Sequence, residues 1–253
     1  MKNTFLIFTS LFTFISCQTT ITSDWNPYDE SVEISDNKKH SIDRMQFKLI
    51  QSKHNNKNTW FKPFEQELKS FTEKDYTNLK ELIIEKDIPT IQKFIISGRL
   101  TYEELTLFYL YRIKKIEFNK DQYLNSIISL NPDILNQARE KDNKKPKSIY
   151  SLYGIPILLK DNINYKGIPT TAGSVALMDN NADDAYVVKK LKADGAIILG
   201  KTNLSEWAYY FCNDCPLGYS AIGGQTLNPY GRKKFESGGS SSGSGVAISS
   251  NFS

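Results

Sequence analysis

The sequence predicts an α/β fold with a substantially parallel sheet. Two apolar runs that are too short for helices, 155–159 and 196–199, have the composition of strands buried on both faces. A helical pattern over 185–193 lies between them, and other helical patterns precede the first run. Strands that alternate with helices are typical of parallel sheets covered by helices. The length of 253 residues is sufficient for one domain with a sizeable core.

The sequence begins with the pattern of a secretory signal. Lys2 precedes an apolar stretch over 5–15 that is too short to span a membrane, and the small residue Ser16 precedes Cys17. The ending Phe-Ile-Ser-Cys resembles a bacterial lipoprotein box. We therefore expect residues 1–16 to be a lipoprotein signal peptide and Cys17 to be acylated. The protein would then be exported and anchored by lipid to a bacterial membrane, on the periplasmic or outer-membrane side. An ordinary signal and a short buried helix are the alternatives.

Two segments of different composition follow the signal. Residues 17–70 are polar and show little periodicity, which predicts a tether followed by irregular structure. Residues 71–253 carry the periodic patterns of a folded domain. Apolar residues recur at helical spacing over 76–96, with a break near Ile88 and Pro89, so two helices are expected there.

Local start signals predict the elements that come next. Thr101 and Glu104 have the spacing of a capping box, which begins a helix over 103–118. A strand over 124–130 and a helix over 133–142 follow.

The last predicted helix has a signal at each end. The pair Asp183-Asp184 is expected to cap the helix over 185–193, and Gly195 is expected to end it. The buried strand over 196–199 follows directly.

The run Ser-Gly-Gly-Ser-Ser-Ser-Gly-Ser-Gly at 237–245 has the composition of a flexible linker. It joins no two domains, however, because eight residues follow Gly245. An apolar Val-Ala-Ile step comes directly after it, as expected where a tight turn leads into a buried element. Glycines allow close approach of the backbone, and clustered hydroxyls supply donors and acceptors. These features favour a site loop over a linker.

Lys160 comes directly at the end of the predicted strand over 155–159. One interpretation is a strand-end lysine that extends to water or pairs with Asp161. The other is a lysine held in a dry site, where desolvation lowers its pKa toward neutrality. The strand by itself leaves both interpretations open.

Five motifs, in order, resemble the amidase signature family. They are Gly-Ile-Pro-Ile-Leu-Leu-Lys-Asp-Asn at 154–162, Thr-Thr-Ala-Gly-Ser at 170–174, Gly-Ala-Ile-Ile-Leu-Gly-Lys-Thr-Asn-Leu-Ser-Glu at 195–206, Gly-Gly-Gln-Thr-Leu-Asn-Pro-Tyr at 223–230 and Gly-Gly-Ser-Ser-Ser-Gly-Ser-Gly at 238–245. The resemblance covers about 100–253. It implies an α/β fold with a mixed, largely parallel sheet flanked by helices and incomplete at its C-terminus. It also implies hydrolysis of carbon–nitrogen amide bonds.

The same resemblance implies a Ser–Ser–Lys site. It assigns the lysine to Lys160 and the bridging serine, in a cis peptide after glycine, to Ser240. Gly238, Gly239 and Ser241 would position the loop or the substrate. The lysine must be neutral to accept a proton through the bridging serine. Lowering its pKa from about 10.4 to about 7.4 takes roughly 4 kcal/mol, which a dry site can supply.

The third member of this site, the acylated serine, is expected beyond Ser253. In the family it lies in a Gly-Gly-Ser-like turn whose backbone amides form the oxyanion hole. Ser249, Ser250 and Ser253 follow no Gly-Gly turn, so none of them is proposed in its place. The 253-residue chain is therefore expected to be the N-terminal part of an amidase, inactive alone, and a separate C-terminal chain could complement it.

Composition limits the other partners. The net charge is +4, and no basic stripe with interleaved aromatic residues points to nucleic acid. Cys212 and Cys215 form a C-x-x-C pair that is expected to be structural, as thiols or as a disulfide. A metal site at this pair would need two further ligands, and the histidines, His40 and His54, lie far away in the N-terminal segment. Neither a metal nor a cofactor is expected.

Three functions compete on these observations. The first is an exported, lipid-anchored amide hydrolase that acts on a small-molecule or peptide amide. The second is a binding lipoprotein that keeps the fold without the chemistry. The third is the transamidating subunit of a glutamine-dependent tRNA amidotransferase, because that protein shares the family signature. The predicted export signal argues against the third, since tRNA charging is cytoplasmic.

Overall fold

A three-stranded sheet lies at the centre of the structure, a computed structural model that describes residues 24–253. Its strands are β1 (Ile127–Leu130), β2 (Pro156–Lys160) and β3 (Ile197–Thr202), in the order β1-β3-β2. Strand β2 runs parallel to β3, whereas β1 runs antiparallel to it. The sheet is therefore mixed, one of its two pairings is parallel, and the predicted α/β class is confirmed.

The predicted signal peptide over 1–16 and the predicted lipidation site, Cys17, lie outside the described residues. Both therefore stay predictions. In the part of the chain that the structure describes, no helix is long and apolar enough to cross a bilayer.

Both faces of β3 are covered, which explains its continuous apolar sequence. All six of its residues are buried. Ile197 and Leu199 belong to the larger hydrophobic cluster of the protein, whereas Ile198 belongs to a smaller cluster with Leu159 and Val188. Because successive side chains of a strand point to opposite faces, the two clusters lie on opposite faces of the sheet.

Helices supply most of the remaining core. They are α1 (Ser31–Asn37), α2 (Asn58–Phe61), α3 (Glu65–Ser70), α4 (Glu73–Ile83), α5 (Ile88–Ile96), α6 (Tyr102–Glu117), α7 (Ile134–Asp142), α8 (Tyr186–Ala193) and α9 (Ser242–Ser249). Short 3-10 helices lie at Asp43–Met45, Lys62–Phe64, Val175–Leu177 and Glu206–Tyr209. The larger cluster is organised around α6, whose Phe108 is fully buried and stacks on Tyr76 of α4 with the ring centroids 4.8 Å apart.

Side-chain caps begin three of these helices. The Thr101 hydroxyl accepts a hydrogen bond from the backbone N–H of Glu104, and the Glu104 carboxylate accepts one from Thr101 N–H, so the predicted capping box of α6 is confirmed. Thr72 begins α4 with the same box. Asp87 caps α5, and Pro89 lies in the first turn, where a missing N–H breaks no helical bond. The predicted break between α4 and α5 is therefore also confirmed.

The predicted cap of α8 is wrong. Ala185 is the N-cap residue, and no side chain there bonds to the helix start. Asp184 instead accepts hydrogen bonds from the backbone N–H of Lys166 at 2.8 Å and from Lys192 Nζ at 2.7 Å. Asp183 faces Lys166 Nζ at 3.5 Å. Nearby lysines occupy both carboxylates, so neither carboxylate caps the helix.

The predicted tether over 17–70 also needs correction in its described part. Residues 24–70 contain α1, α2 and α3, and large side chains of this segment lie in the larger cluster: Trp25, Met45, Phe47, Ile50, Trp60, Phe61 and Phe64. Lys57 is buried as well, with its Nζ 3.0 Å from a carboxylate oxygen of Glu117. Polar runs separate these large apolar residues at irregular intervals, so no periodic pattern in the sequence indicates their burial.

A short ribbon, which was not predicted from the sequence, ties this segment to the rest of the domain. Strands β4 (Tyr219–Ser220) and β5 (Gly224–Gln225) pair antiparallel. Gln225 N–H donates to the carbonyl of Ile50 at 2.9 Å. Gly224 has a φ of +72°, and a Cβ there would lie 2.5 Å from that same carbonyl oxygen, so the approach requires glycine.

Phe64→Ala tests the packing of residues 24–70. Phe64 is 1% exposed, and its truncation leaves a cavity, so we predict a loss of about 3–5 kcal/mol in the free energy of unfolding. The matched control is Phe235→Ala, because Phe235 is 55% exposed. The control should change the unfolding free energy by less than about 0.5 kcal/mol. Equal effects of the two variants in denaturant unfolding would contradict the described packing.

Candidate active site

Lys160 lies at the carboxyl end of β2, opposite Thr202 in the parallel register with β3. Its Nζ donates hydrogen bonds to Ser240 Oγ at 2.7 Å and to Ser241 Oγ at 2.9 Å. The fold thus brings together the lysine and the serine that the sequence places eighty positions apart. Lys160 does not pair with Asp161, so this part of the first interpretation of Lys160 is not observed.

The serine run forms a loop and the start of a helix, and not a linker. Gly238 has a φ of +71°, and the peptide bond between Gly239 and Ser240 is cis, as the family resemblance implies. The carbonyl of Ser240 accepts a hydrogen bond from Ser205 N–H at 3.0 Å. Ser242, the first residue of α9, donates its hydroxyl to the carbonyl of Gly238 at 2.5 Å. The loop is therefore held on both sides of Ser240.

Glycines allow this loop and α9 to lie close to neighbouring backbone. A Cβ at Gly239 would lie 2.8 Å from Ser205 Oγ. A Cβ at Gly243 would lie 2.4 Å from the carbonyl oxygen of Asn203 and 2.5 Å from that of Ser126. Gly245, further along the same helix, faces open space. The first turn of α9 therefore packs directly on the residues that follow β3, which fixes the serines next to Lys160.

The surroundings of Lys160 favour the neutral amine. Partial burial lowers the pKa of Lys160 from its ordinary value, because desolvation disfavours the ammonium form. Among the described residues, its Nζ bonds to the hydroxyls of Ser240 and Ser241 and pairs with no carboxylate. A neutral Nζ can accept a proton from a hydroxyl at this distance, which is the geometry of a general base.

Asp161 and Lys201 form a second charged group behind this site. Asp161 Oδ1 faces Lys201 Nζ at 3.6 Å, and both residues are fully buried. Asp161 Oδ2 accepts hydrogen bonds from the hydroxyl and the N–H of Thr171 and from the N–H of Gly173. This pair was not predicted from the sequence, although a lysine that follows a buried apolar run was a signal that could have indicated it.

A disulfide closes a loop beside the serines. Cys212 and Cys215 are bonded to each other, and Tyr209 donates its hydroxyl to the carbonyl of Cys215 at 2.9 Å. The base of this loop is closed by Gly218 N–H, which donates to Ser205 Oγ at 2.9 Å. Within residues 24–253, no group of three or more His, Cys, Asp or Glu side chains could hold a metal ion.

The family model named Amidase matches residues 104–253, more than half of the chain. The chain belongs to the amidase family. A "probable amidase" of Arabidopsis thaliana is 43% identical over 176 residues, which make up 67% of this chain and 33% of that protein. A glutamyl-tRNA(Gln) amidotransferase subunit from Lawsonia intracellularis is 36% identical over 167 residues, 65% of this chain and 32% of that protein.

Solved amidase structures share the fold. An amidase family protein from Bacillus anthracis matches with a TM-score of 0.74 and 39% identity, over 82% of this chain and 41% of its own. The peptide amidase of Stenotrophomonas maltophilia matches with a TM-score of 0.63 and 45% identity, over 67% of this chain and 35% of its own. The chain spans about a third of the length of the curated relatives that it matches.

A glycine pair in α9 tests how this helix positions the serines. We predict that Gly243→Ala destabilises the protein, because the new Cβ would collide with two backbone carbonyls that cannot easily move. Gly245→Ala should stabilise it by about 0.5–1 kcal/mol, because alanine costs less entropy in a helix and has space there. Unfolding midpoints that shift in the same direction for both variants would contradict the close packing of α9.

Proposed function

We propose that this amidase hydrolyses carbon–nitrogen amide bonds with Lys160 as the general base and Ser240 as the bridging serine. The observation that carries the proposal is the 2.7 Å hydrogen bond between Lys160 Nζ and Ser240 Oγ, at a lysine whose pKa is lowered by burial. An ordinary, protonated lysine could not accept a proton from a serine.

In the proposed reaction, a nucleophilic serine attacks the carbonyl carbon of the substrate amide. Its proton passes to Ser240 Oγ as the proton of Ser240 passes to Lys160 Nζ. The resulting ammonium returns the proton through Ser240 to the leaving nitrogen, and the C–N bond breaks. A water molecule then attacks the acyl-serine by the same route, which releases the acid and restores the serine. Ser241, with its hydroxyl 2.9 Å from Nζ, holds the lysine in place while Ser240 relays the proton.

The acylated serine of this proposal is not one of the described serines. We place it beyond Ser253, in a Gly-Gly-Ser-like turn whose amides would also bind the oxyanion. It would be supplied by the same polypeptide or by a separate chain.

The substrate class of the proposal is a small-molecule or peptide amide, and no cofactor is needed. The match to a peptide amidase supports peptide amides in particular. The match to an amidotransferase subunit supports a second candidate, release of ammonia from glutamine within a tRNA-dependent complex. We favour the first candidate, because the predicted signal at residues 1–16 would export the protein away from tRNA charging.

Activity variants test the roles of Lys160 and Ser240. We predict that Lys160→Met and Ser240→Ala, made in the native protein of its source, each lower kcat for a peptide amide by at least about 10³-fold. The double variant should be no worse than either single one, because residues that act as a unit are not additive. Ser249→Ala is the control, since among the described residues the Ser249 hydroxyl bonds to Gly245 O of its own helix, and kcat should be unchanged. Additive losses would contradict a shared proton relay.

The pH dependence of kcat tests the protonation state of the base. The neutral amine is the active form, so the rate should rise with pH through the pKa of Lys160 and be lost below it. Because burial lowers that pKa, the rise should be complete below the ordinary lysine value of about 10.4. A rate that still climbs through pH 10 to 11, about where free lysine titrates, would show that Lys160 is not the base.

The proposed anchor is tested separately. We propose that Cys17 is acylated after cleavage behind Ser16, so the protein should appear in the membrane fraction and incorporate labelled palmitate. Cys17→Ser should abolish the label and leave the protein in the cell as an uncleaved precursor. Unchanged palmitate incorporation in Cys17→Ser would rule out this anchor.

A further inference from the structure

The buried pair of Asp161 and Lys201 has no role in the proton relay described above. Lys201 Nζ donates to the carbonyl of Ile163 at 2.7 Å and to Thr170 Oγ1 at 3.0 Å, and faces Asp161 at 3.6 Å. Asp161 Oδ1 is buried and accepts no hydrogen bond from the described residues. A buried ion pair of this kind contributes little net stability to the fold, because the cost of desolvating both charges opposes their Coulomb attraction. Because Asp161 directly follows Lys160 in the chain, the pair could instead affect the position of Lys160.

Asp161 ties the end of β2 to the turn at 170–173. Its N–H donates to the carbonyl of Thr202 at 3.1 Å, and its carbonyl accepts from Ala172 N–H at 2.9 Å. Its carboxylate accepts from both sides of Ala172, at residues 171 and 173. Ala172 has a φ of +50°, a region that L-residues with a side chain rarely adopt. The bonds of Asp161 hold this turn in its unfavourable conformation.

The same turn reaches the segment that holds Ser240. The carbonyl of Ala172 accepts a hydrogen bond from Trp207 N–H at 3.0 Å. Two residues earlier, Ser205 N–H donates to the carbonyl of Ser240 at 3.0 Å. A continuous set of bonds therefore runs from Lys201 through Asp161 and the turn to Ser240. It links the backbone next to Lys160 to the carbonyl of Ser240 by a second route, besides the hydrogen bond between their side chains.

We propose that the Asp161–Lys201 pair is a positioning device that sets Lys160 against Ser240 in the amide hydrolase reaction. The proposal rests on the proposed function for its kinetic consequence, but not for its geometric one. Side chains alternate along the extended chain at the end of β2, so Asp161 and Lys160 point to opposite faces. The Asp161–Lys201 pair therefore acts through the backbone and does not touch the substrate. Burial lowers the pKa of Lys201 and raises the pKa of Asp161, because desolvation disfavours both charged forms, and the charge of each partner opposes the shift of the other.

The first test is the crystal structure of Lys201→Met in the native protein, beside that of the unaltered protein. The variant keeps the length of the side chain and removes its bonds to Ile163, Thr170 and Asp161. We expect the Lys160 Nζ–Ser240 Oγ separation to exceed hydrogen-bonding distance, about 3.5 Å. A separation unchanged from 2.7 Å would overturn the proposal, whether or not the protein hydrolyses amides.

The kinetic test compares Lys201→Met with Lys57→Met, which breaks another buried ion pair, that with Glu117. Both variants should lower the unfolding midpoint. Lys201→Met should also lower kcat for a peptide amide about 100-fold with KM changed less than about twofold, as expected when only the transition state is affected. Lys57→Met should leave kcat unchanged. Equal kcat values for the two variants would overturn a positioning role.

The double variant Asp161→Asn with Lys201→Met covers the case in which the single variant does not fold. It leaves no unpaired buried charge, so it should fold more stably than Lys201→Met. A positioning role predicts that kcat stays low although stability recovers. Recovery of kcat together with stability would show that the pair is merely structural. If the unaltered protein itself shows no amidase activity, the proposed function fails, and the crystal structures alone decide the positioning claim.

Discussion

The structure depends on one requirement: a lysine that pairs with no described carboxylate must be held within hydrogen-bonding distance of a serine eighty residues away. Strand β2 meets the first half, because its parallel pairing with β3 ends at Lys160. The glycine-rich loop before α9 meets the second half, since a side chain at Gly239 or Gly243 would collide with the neighbouring chain. Neither β2 nor the segment around α9 could form the site without β3, which contacts both of them.

The remaining core holds these two segments rigidly. Because β3 is buried on both faces by separate clusters, shifts of β2 relative to β3 would disturb both cores at once. The segment 24–70 adds to this frame through large side chains in the main cluster and through the Gln225–Ile50 bond. The catalytic proposal thus concerns a rigid scaffold, on which a loop is fixed from several sides, as precise proton transfer requires.

Elements with local signals could be predicted from the sequence, and those that depend on distant partners could not. The Thr101 capping box and the strand ending at Lys160 follow from residues within one turn or one run. The Asp183-Asp184 cap failed because lysines 166 and 192 occupy those carboxylates. The contact of Lys160 with Ser240 was reached only through family resemblance, since no local pattern joins residues so far apart. The Asp161–Lys201 pair was missed because the two residues lie in separate motifs, 154–162 and 195–206, and no local pattern indicates that these motifs meet.

The pKa of Lys160 is the most direct test of the proposed mechanism, because Lys160 must be a neutral amine to accept the proton that starts each attack. It can be measured by ¹⁵N NMR of the lysine side chains in the native protein, with the signal assigned by its loss in Lys160→Arg. We predict a titration clearly below the ordinary value of about 10.4. A pKa at or above that value would mean that Lys160 is an ammonium at neutral pH, and a general-base role for it would be contradicted.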